Sequence, residues 1–304
     1  MPFVTMKKYN ISPEYGIFAR FTPPFHKALF PISSFVLGFV PKMLRSNADV
    51  KIAKKRLKTA DGDCITLYIF YPVKTTTDKA LLYIHGGGFA FKGSPCHYHL
   101  CQRFAAQGNC KVVYVDYRLS PKYKYPVPLQ DCFLAYQWIV KNAAYLNIDT
   151  NKIIVGGDSA GGCLAVDVTL KALRENIVKP CYQMLIYPLL DKRMHTQSMK
   201  MYTDTPMWNS KLTKKMWRYY LGTSHYISPN ERADLRNMPP AYLETAEYDC
   251  LHDEGVEFAK KLMESGVPVT LYETKRTMHG YDSKNCPTTE KAQKRRIKVL
   301  RDIE

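Results

Sequence analysis

The stretch IIVGGDSAGGCLA, Ile153 to Ala165, decides how the rest of the chain is read. It opens on apolar residues suited to a buried strand and closes on small residues that continue as a helix. Between them Ser159 stands in Gly157-Asp158-Ser159-Ala160-Gly161, a Gly-x-Ser-x-Gly spacing on a strand-to-helix turn. Glycine is required at both ends because side chains there would collide with the neighbouring strand and helix, and the serine hydroxyl is then exposed above the sheet. A helix starting at Ser159 aims its N-terminal amides and positive dipole end at the same point. Two other glycine-rich readings fail on spacing. A phosphate loop needs a Lys that is missing here, and a dinucleotide fingerprint built on Gly86-Gly87-Gly88 has Phe91 where its last glycine should stand.

Outward from this turn the chain alternates strand and helix. KRLKTA and ITLYIFYP, separated by Asp61-Gly62-Asp63, are expected to pair antiparallel. ALLYIHG (80–86), KVVYVDYR (111–118), KIIVGG (152–157) and YQMLIYP (182–188) are dense in Val, Ile, Leu and Tyr, as parallel strands covered on both faces must be. AYLETAEY (241–248) and VTLYETK (269–275) continue the series. Helices are expected over 131–146, with Phe133, Tyr136, Ile139, Val140 and Ala143 on one face, after Ser159, over a stripe of Val256, Ala259, Leu262 and Met263, and from about 288. The fold class is therefore α/β, a mostly parallel sheet with helices on both sides. Residues 1–50 and 192–236 break the rhythm with aromatics, prolines and methionines. They are expected to form two parts of a helical cap over the C-terminal edge of a 51–304 core, with extra packing as the plainer and compatible role.

A serine hydroxyl needs a base to become a nucleophile. Of eight histidines, His279 follows the last strand, precedes Gly280 and reaches the sheet edge that carries Ser159. The base in turn needs an acid to hold its tautomer and stabilise its cation. Asp249 ends the preceding strand, whereas Asp253 and Glu254 lie further into a helix and suit capping. HGGGF (85–89) supplies a backbone that can approach a substrate oxygen, so the N–H groups of Gly87, Gly88 and Ala160 are the candidate oxyanion donors. His85, Gly86 and Asp158 form the supporting loop, with His85 bracing by hydrogen bonding. No metal site is expected.

Composition narrows the remaining classes. The net charge of +17 is spread over KIAKKRLK (51–58), KLTKKMWR (211–218) and KAQKRRIKVLR (291–301), and no nucleic-acid motif accompanies these runs. Solvated faces are the simpler reading, with attraction to an anionic membrane left open. Nine scattered cysteines include no CxxC pair, which argues against a zinc knuckle and for a reducing, cytoplasmic setting. The N-terminal residues show no signal-peptide pattern, and ISSFVLGFV (32–40) is far shorter than the roughly 20 residues that span a bilayer. No nucleic-acid partner and no integral membrane segment are expected; oligomeric state is not legible.

HGGGF (85–89), DYRLSPKYKYPVP (116–128), GDSAGG (157–162), YDCLHDEG (248–255) and HG (279–280) stand in an order that resembles the hormone-sensitive-lipase-like esterases of the α/β-hydrolase fold. The resemblance implies a capped eight-stranded sheet, no cofactor, and hydrolysis of small carboxylic esters with short or medium acyl chains. The family commonly has an acidic residue, Asn and Pro where Lys122, Cys163 and Cys250 stand here. Thiols near the triad would make the protein sensitive to thiol reagents. Phe25, Phe30, Phe35, Phe39, Met207, Trp208 and Trp217 are candidates for an apolar acyl pocket, or for packing of the cap. An amide or peptide hydrolase on the same fold stays open. A non-catalytic small-molecule receptor is also conceivable, although family receptors of that kind lack the histidine that His279 supplies.

Overall fold

A computed structural model describes residues 8–303 of the chain, so the part of the cap expectation that falls on residues 1–7 lies outside the described residues. The strands are β1 (Val50–Lys58), β2 (Cys64–Pro72), β3 (Ala80–Ile84), β4 (Lys111–Asp116), β5 (Ile153–Asp158), β6 (Tyr182–Ile186), β7 (Ala241–Tyr248) and β8 (Val269–Met278). The helices are α1 (Phe30–Leu37), α2 (Val40–Met43), α3 (Pro95–Gln107), α4 (Val127–Lys141), α5 (Ala143–Leu146), α6 (Ala160–Arg174), α7 (Gln197–Met201), α8 (Ser210–Leu221), α9 (His252–Glu264) and α10 (Pro287–Asp302).

All eight strands form one sheet in the order β1-β2-β4-β3-β5-β6-β7-β8. β1, β2 and β4 are joined antiparallel, and every other neighbouring pair is parallel. The period-two alternation of strand side chains divides the core into two layers. Leu82, Ile84, Val113, Val115 and Val155 face α4, α6 and α9, while Leu81, Tyr83, Val112, Tyr114 and Ile154 face α3 and α10. Every residue from Ala160 to Thr169 is buried, which is why this part of α6 is small or apolar on all sides except at Asp167 and Thr169.

Three local expectations change. The helix expected over 131–146 starts earlier, at Val127, and breaks at Asn142, whose side-chain amide donates to the Trp138 carbonyl at 2.8 Å. On α9 the buried positions are Glu254, Gly255, Phe258, Ala259 and Leu262, and Met263 faces solvent. Val50, assigned to the cap, opens β1. The two irregular segments meet each other, with Met207 N–H donating to the Phe21 carbonyl at 2.7 Å and Phe25 edge-on to Trp208.

Asp167, on α6, is buried and accepts a hydrogen bond from the Tyr226 hydroxyl at 2.8 Å. Burial pushes its carboxyl up to about 7, and the tyrosine only partly offsets this. A raised acid stays protonated in the folded chain at pH values where the unfolded chain has lost its proton. Stability therefore falls as pH rises from near 3.8 to about 7 and is level above that. Asp167→Asn is expected to stabilise the fold above pH 7 and to be nearly neutral near pH 4. The difference accumulates on the order of 1.4 kcal/mol per pH unit across the interval. Urea unfolding at both ends of the range reads it; an equal effect at the two pH values would contradict the assignment.

Candidate active site

Four strand ends converge on one place because parallel strands present all their C-termini to the same sheet edge. Ser159 follows β5, Asp249 follows β7, His279 follows β8, and the His85–Phe89 loop follows β3. The turn after β5 holds Ser159 at φ 54°, ψ −120°, a conformation that non-glycine residues rarely adopt. Its N–H donates to the Ile186 carbonyl at 2.9 Å, and its carbonyl accepts from Leu189 N–H at 3.0 Å. A Cβ at Gly157 would lie 2.3 Å from the Ile84 carbonyl oxygen, and one at Gly161 only 2.0 Å from the same atom. The strain at the serine is thus sustained by close backbone packing that only glycine permits.

His279 joins the serine to the acid. Its Nδ1 lies 2.6 Å from Asp249 Oδ2 and its Nε2 lies 2.8 Å from Ser159 Oγ. An ionised carboxylate only accepts, so Nδ1 carries the proton and Nε2 is free to accept from the serine hydroxyl. Asp249 is fully buried, and its other oxygen accepts from Leu251 N–H at 2.9 Å. The ring of His279 packs edge-on against Tyr187.

Among the described residues, none of the N–H groups of Gly87, Gly88 and Ala160 donates a hydrogen bond, which leaves three donors beside Ser159. Gly87 and Gly88 have φ of 102° and 59°, the left-handed region in which glycine carries no steric cost. Asp158 ties this loop to the nucleophile turn by accepting from Gly86 N–H at 3.1 Å and from the Tyr83 hydroxyl at 2.7 Å. Burial would push its carboxyl up, but His97, with Nε2 3.2 Å away, and Tyr83 outweigh it and hold the carboxyl well below its ordinary range. Burial pulls His97 down in turn, and the Asp158 carboxylate more than compensates. His85 is fully buried, stacked on Tyr117, and donates from Nδ1 to the Gly86 carbonyl at 2.7 Å. Burial, reinforced by His97, lowers it to about 3, so it stays neutral and braces the loop.

The cavity above Ser159 has a volume of about 560 Å³ and is lined mainly by apolar groups, including Leu29, Ile32, Val36, Phe91, Met207 and Trp208. Of the seven aromatic and Met residues expected to line an acyl pocket, only Met207 and Trp208 do so. Phe25, Phe30 and Trp217 pack the core, and Phe35 and Phe39 point to solvent. Asp253 and Glu254 also differ from expectation. Rather than capping α9, Asp253 accepts from Ser198 N–H at 2.7 Å and Glu254 from Leu190 N–H at 2.6 Å, tethering the segment that leaves β6. Cys163 and Cys250 are buried with their thiols pushed well up by desolvation, so they are not the reactive thiols expected from their nearness to the triad. The described residues include one cluster with donors for a cation, Asp191, His195 and Glu257, but Asp191 already holds Arg193 and none of the three lines this cavity.

Sequence reasoning missed a buried charge network behind His279. Glu244, on β7, receives Arg296 Nη2 at 2.6 Å and the hydroxyls of Tyr242 and Tyr281. Arg296 Nη1 reaches Asp282 at 2.6 Å, and Asp282 accepts from the Tyr187 hydroxyl. The signal was available: a glutamate inside an otherwise buried strand must find a partner. Together these contacts anchor residues 281–282, immediately after the histidine.

An eight-stranded, mostly parallel sheet with a serine elbow, a histidine and an aspartate gathered at its C-terminal edge defines a hydrolase of the α/β type. Residues 81–283 match the family profile described as alpha/beta hydrolase fold. Esterase LipI of Mycobacterium tuberculosis is 29% identical over 282 residues, covering 84% of this chain and 88% of that protein. An ethyl acetate hydrolase of Pseudomonas putida is 32% identical over 235 residues, 72% of each chain. Among solved structures, a bacterial heroin esterase superposes with a TM-score of 0.86 at 33% identity, covering 96% of this chain and 97% of that one. The chain belongs to the alpha/beta hydrolase fold family, in its hormone-sensitive-lipase-like group, and is an ester hydrolase. No helix among the described residues is long and apolar enough to cross a membrane.

Proposed function

We propose that this chain is a serine carboxylesterase that hydrolyses short- to medium-chain acyl esters, acetyl esters among them, through an acyl-enzyme. The observation that carries the reading is the continuous Asp249–His279–Ser159 hydrogen-bonded line at the floor of an apolar cavity. His279 Nε2 takes the serine proton as Oγ attacks the ester carbonyl carbon, and Asp249 stabilises the imidazolium. The N–H groups of Gly87, Gly88 and Ala160 receive the oxyanion, each worth about 3 kcal/mol to the transition state. His279 then returns its proton to the departing alcohol. Water, deprotonated by the same nitrogen, releases the acid and restores Ser159. The two irregular segments act as the cap, and nine cysteines without a disulfide support a cytoplasmic setting.

A cavity of about 560 Å³ is of ordinary size for a ligand pocket and has room for a small ester with a short or medium acyl chain. The name of the Pseudomonas relative points the same way. In a series of p-nitrophenyl acetate, butyrate and octanoate, kcat/KM is expected to peak at acetate or butyrate and to fall about tenfold by octanoate. The corresponding anilide should turn over far more slowly. Faster anilide turnover would favour an amidase, and a folded protein inert to all of them would bring a receptor or a narrow-specificity hydrolase to the front.

A further inference from the structure

α1 buries a single side chain, Phe30, although every one of its eight residues but Ser33 and Ser34 is apolar. Ile32, Phe35 and Val36 stand at i, i+3 and i+4 of α1, the spacing of one helical face, and that face looks outward; Phe39, just past the end of α1, packs edge-on against Phe35, and Met43, on α2, is exposed as well. Phe35 is 70% exposed, Val36 60%, Ile32 63% and Met43 76%. A contiguous apolar stripe in water marks a surface made to be covered.

Charge identifies the cover. From Tyr15 to Ala48 the sequence contains Arg20, Lys27, Lys42 and Arg45 and no Asp or Glu. An acid-free segment with an apolar face and cationic flanks matches the boundary of an anionic bilayer, where the face enters the acyl region and the cations meet phosphate and carboxylate headgroups. A second copy of this chain fits poorly, because it would bring two such segments together within a protein already at +17. Eight residues of helix cannot span the membrane, so the contact is peripheral.

The same helix also walls the cavity over Ser159. Leu29, Ile32, Ser33, Val36 and Leu37 line it, and Ile32 and Val36 belong to the exposed stripe as well. The stripe is thus the outer lip of the cavity mouth. We propose that α1 docks this protein onto anionic phospholipid membranes and that the cavity draws lipophilic esters from the bilayer. The second half rests on the esterase reading above; the docking itself does not.

The docking is tested by vesicle flotation of Ser159→Ala protein, which removes hydrolysis from the measurement. Binding is expected to phosphatidylcholine vesicles containing phosphatidylserine, to weaken with added salt, and to be slight on phosphatidylcholine alone. Phe35→Asp should lower binding by about tenfold or more, with circular dichroism and melting temperature as in the parent because the side chain is so exposed. No binding, equal binding to both vesicle types, or binding indifferent to Phe35→Asp would overturn the proposal. So would a dimer in light scattering that Phe35→Asp splits. Binding by the Ser159→Ala protein, together with a wild-type protein that hydrolyses no dissolved ester, would keep the docking and overturn ester uptake.

Discussion

Ser159→Ala is expected to lower kcat/KM for p-nitrophenyl acetate by about 10⁴-fold or more while the protein stays folded. The magnitude follows from what the site would lose. Without Oγ the proposed acyl-enzyme cannot form, and His279 is left to activate water directly. What remains is the oxyanion donors and binding. Asp249→Asn should cost about 10⁴-fold by a different route, because an amide presented to Nδ1 favours the tautomer that leaves Nε2 protonated and unable to accept. Since the three groups act as one unit, the double variant should be little worse than Ser159→Ala alone. A Ser159→Ala protein retaining a tenth or more of the wild-type rate would mean that another nucleophile does the chemistry.

The second large effect concerns stability. Arg296→Met is expected to cost about 3–5 kcal/mol, because it takes the nearer cation from the buried Glu244 carboxylate and leaves only the longer contact to Arg295 at 3.4 Å. Burial favours the neutral acid, but Arg296 and the two tyrosine hydroxyls outweigh it and hold Glu244 below its ordinary range. A depressed acid contributes stability that is present above the unfolded-state value of 4.5 and lost as pH falls through the folded one. In Arg296→Met that advantage reverses, and the carboxyl takes up a proton on folding. The gap between variant and wild type should therefore be widest near neutrality and narrow towards acid, a pattern that a simple packing loss would not give. The variant should also lose turnover, since Tyr281 and Asp282 anchor the loop that follows His279. Chemical denaturation at several pH values measures the first effect; a pH-independent deficit would reject the electrostatic account.

Strand–helix alternation, the Gly-x-Ser-x-Gly turn and the position of His279 one residue after β8 were legible because each depends on neighbours close in the chain: side-chain period, glycine spacing and strand-end chemistry. Asp249 could be singled out for the same reason, since the end of a parallel strand fixes the sheet edge where it emerges. By contrast, the fate of Glu254 depended on Leu190, and that of Glu244 on Arg296, 52 positions away. Phe35 and Phe30 look equally suited to a pocket in sequence, yet one is exposed and the other packs on Phe25 and Phe91.

By itself, then, the sequence determined an α/β sheet, its strand boundaries to within a few residues, and the residues able to form a nucleophile, base and acid at one edge. Only the tertiary structure decided which charges are buried against each other, which cap residues line the cavity, and which apolar face is left to water. Those outcomes depend on desolvation and pairing, and both are set by atoms that the fold brings together from distant parts of the chain.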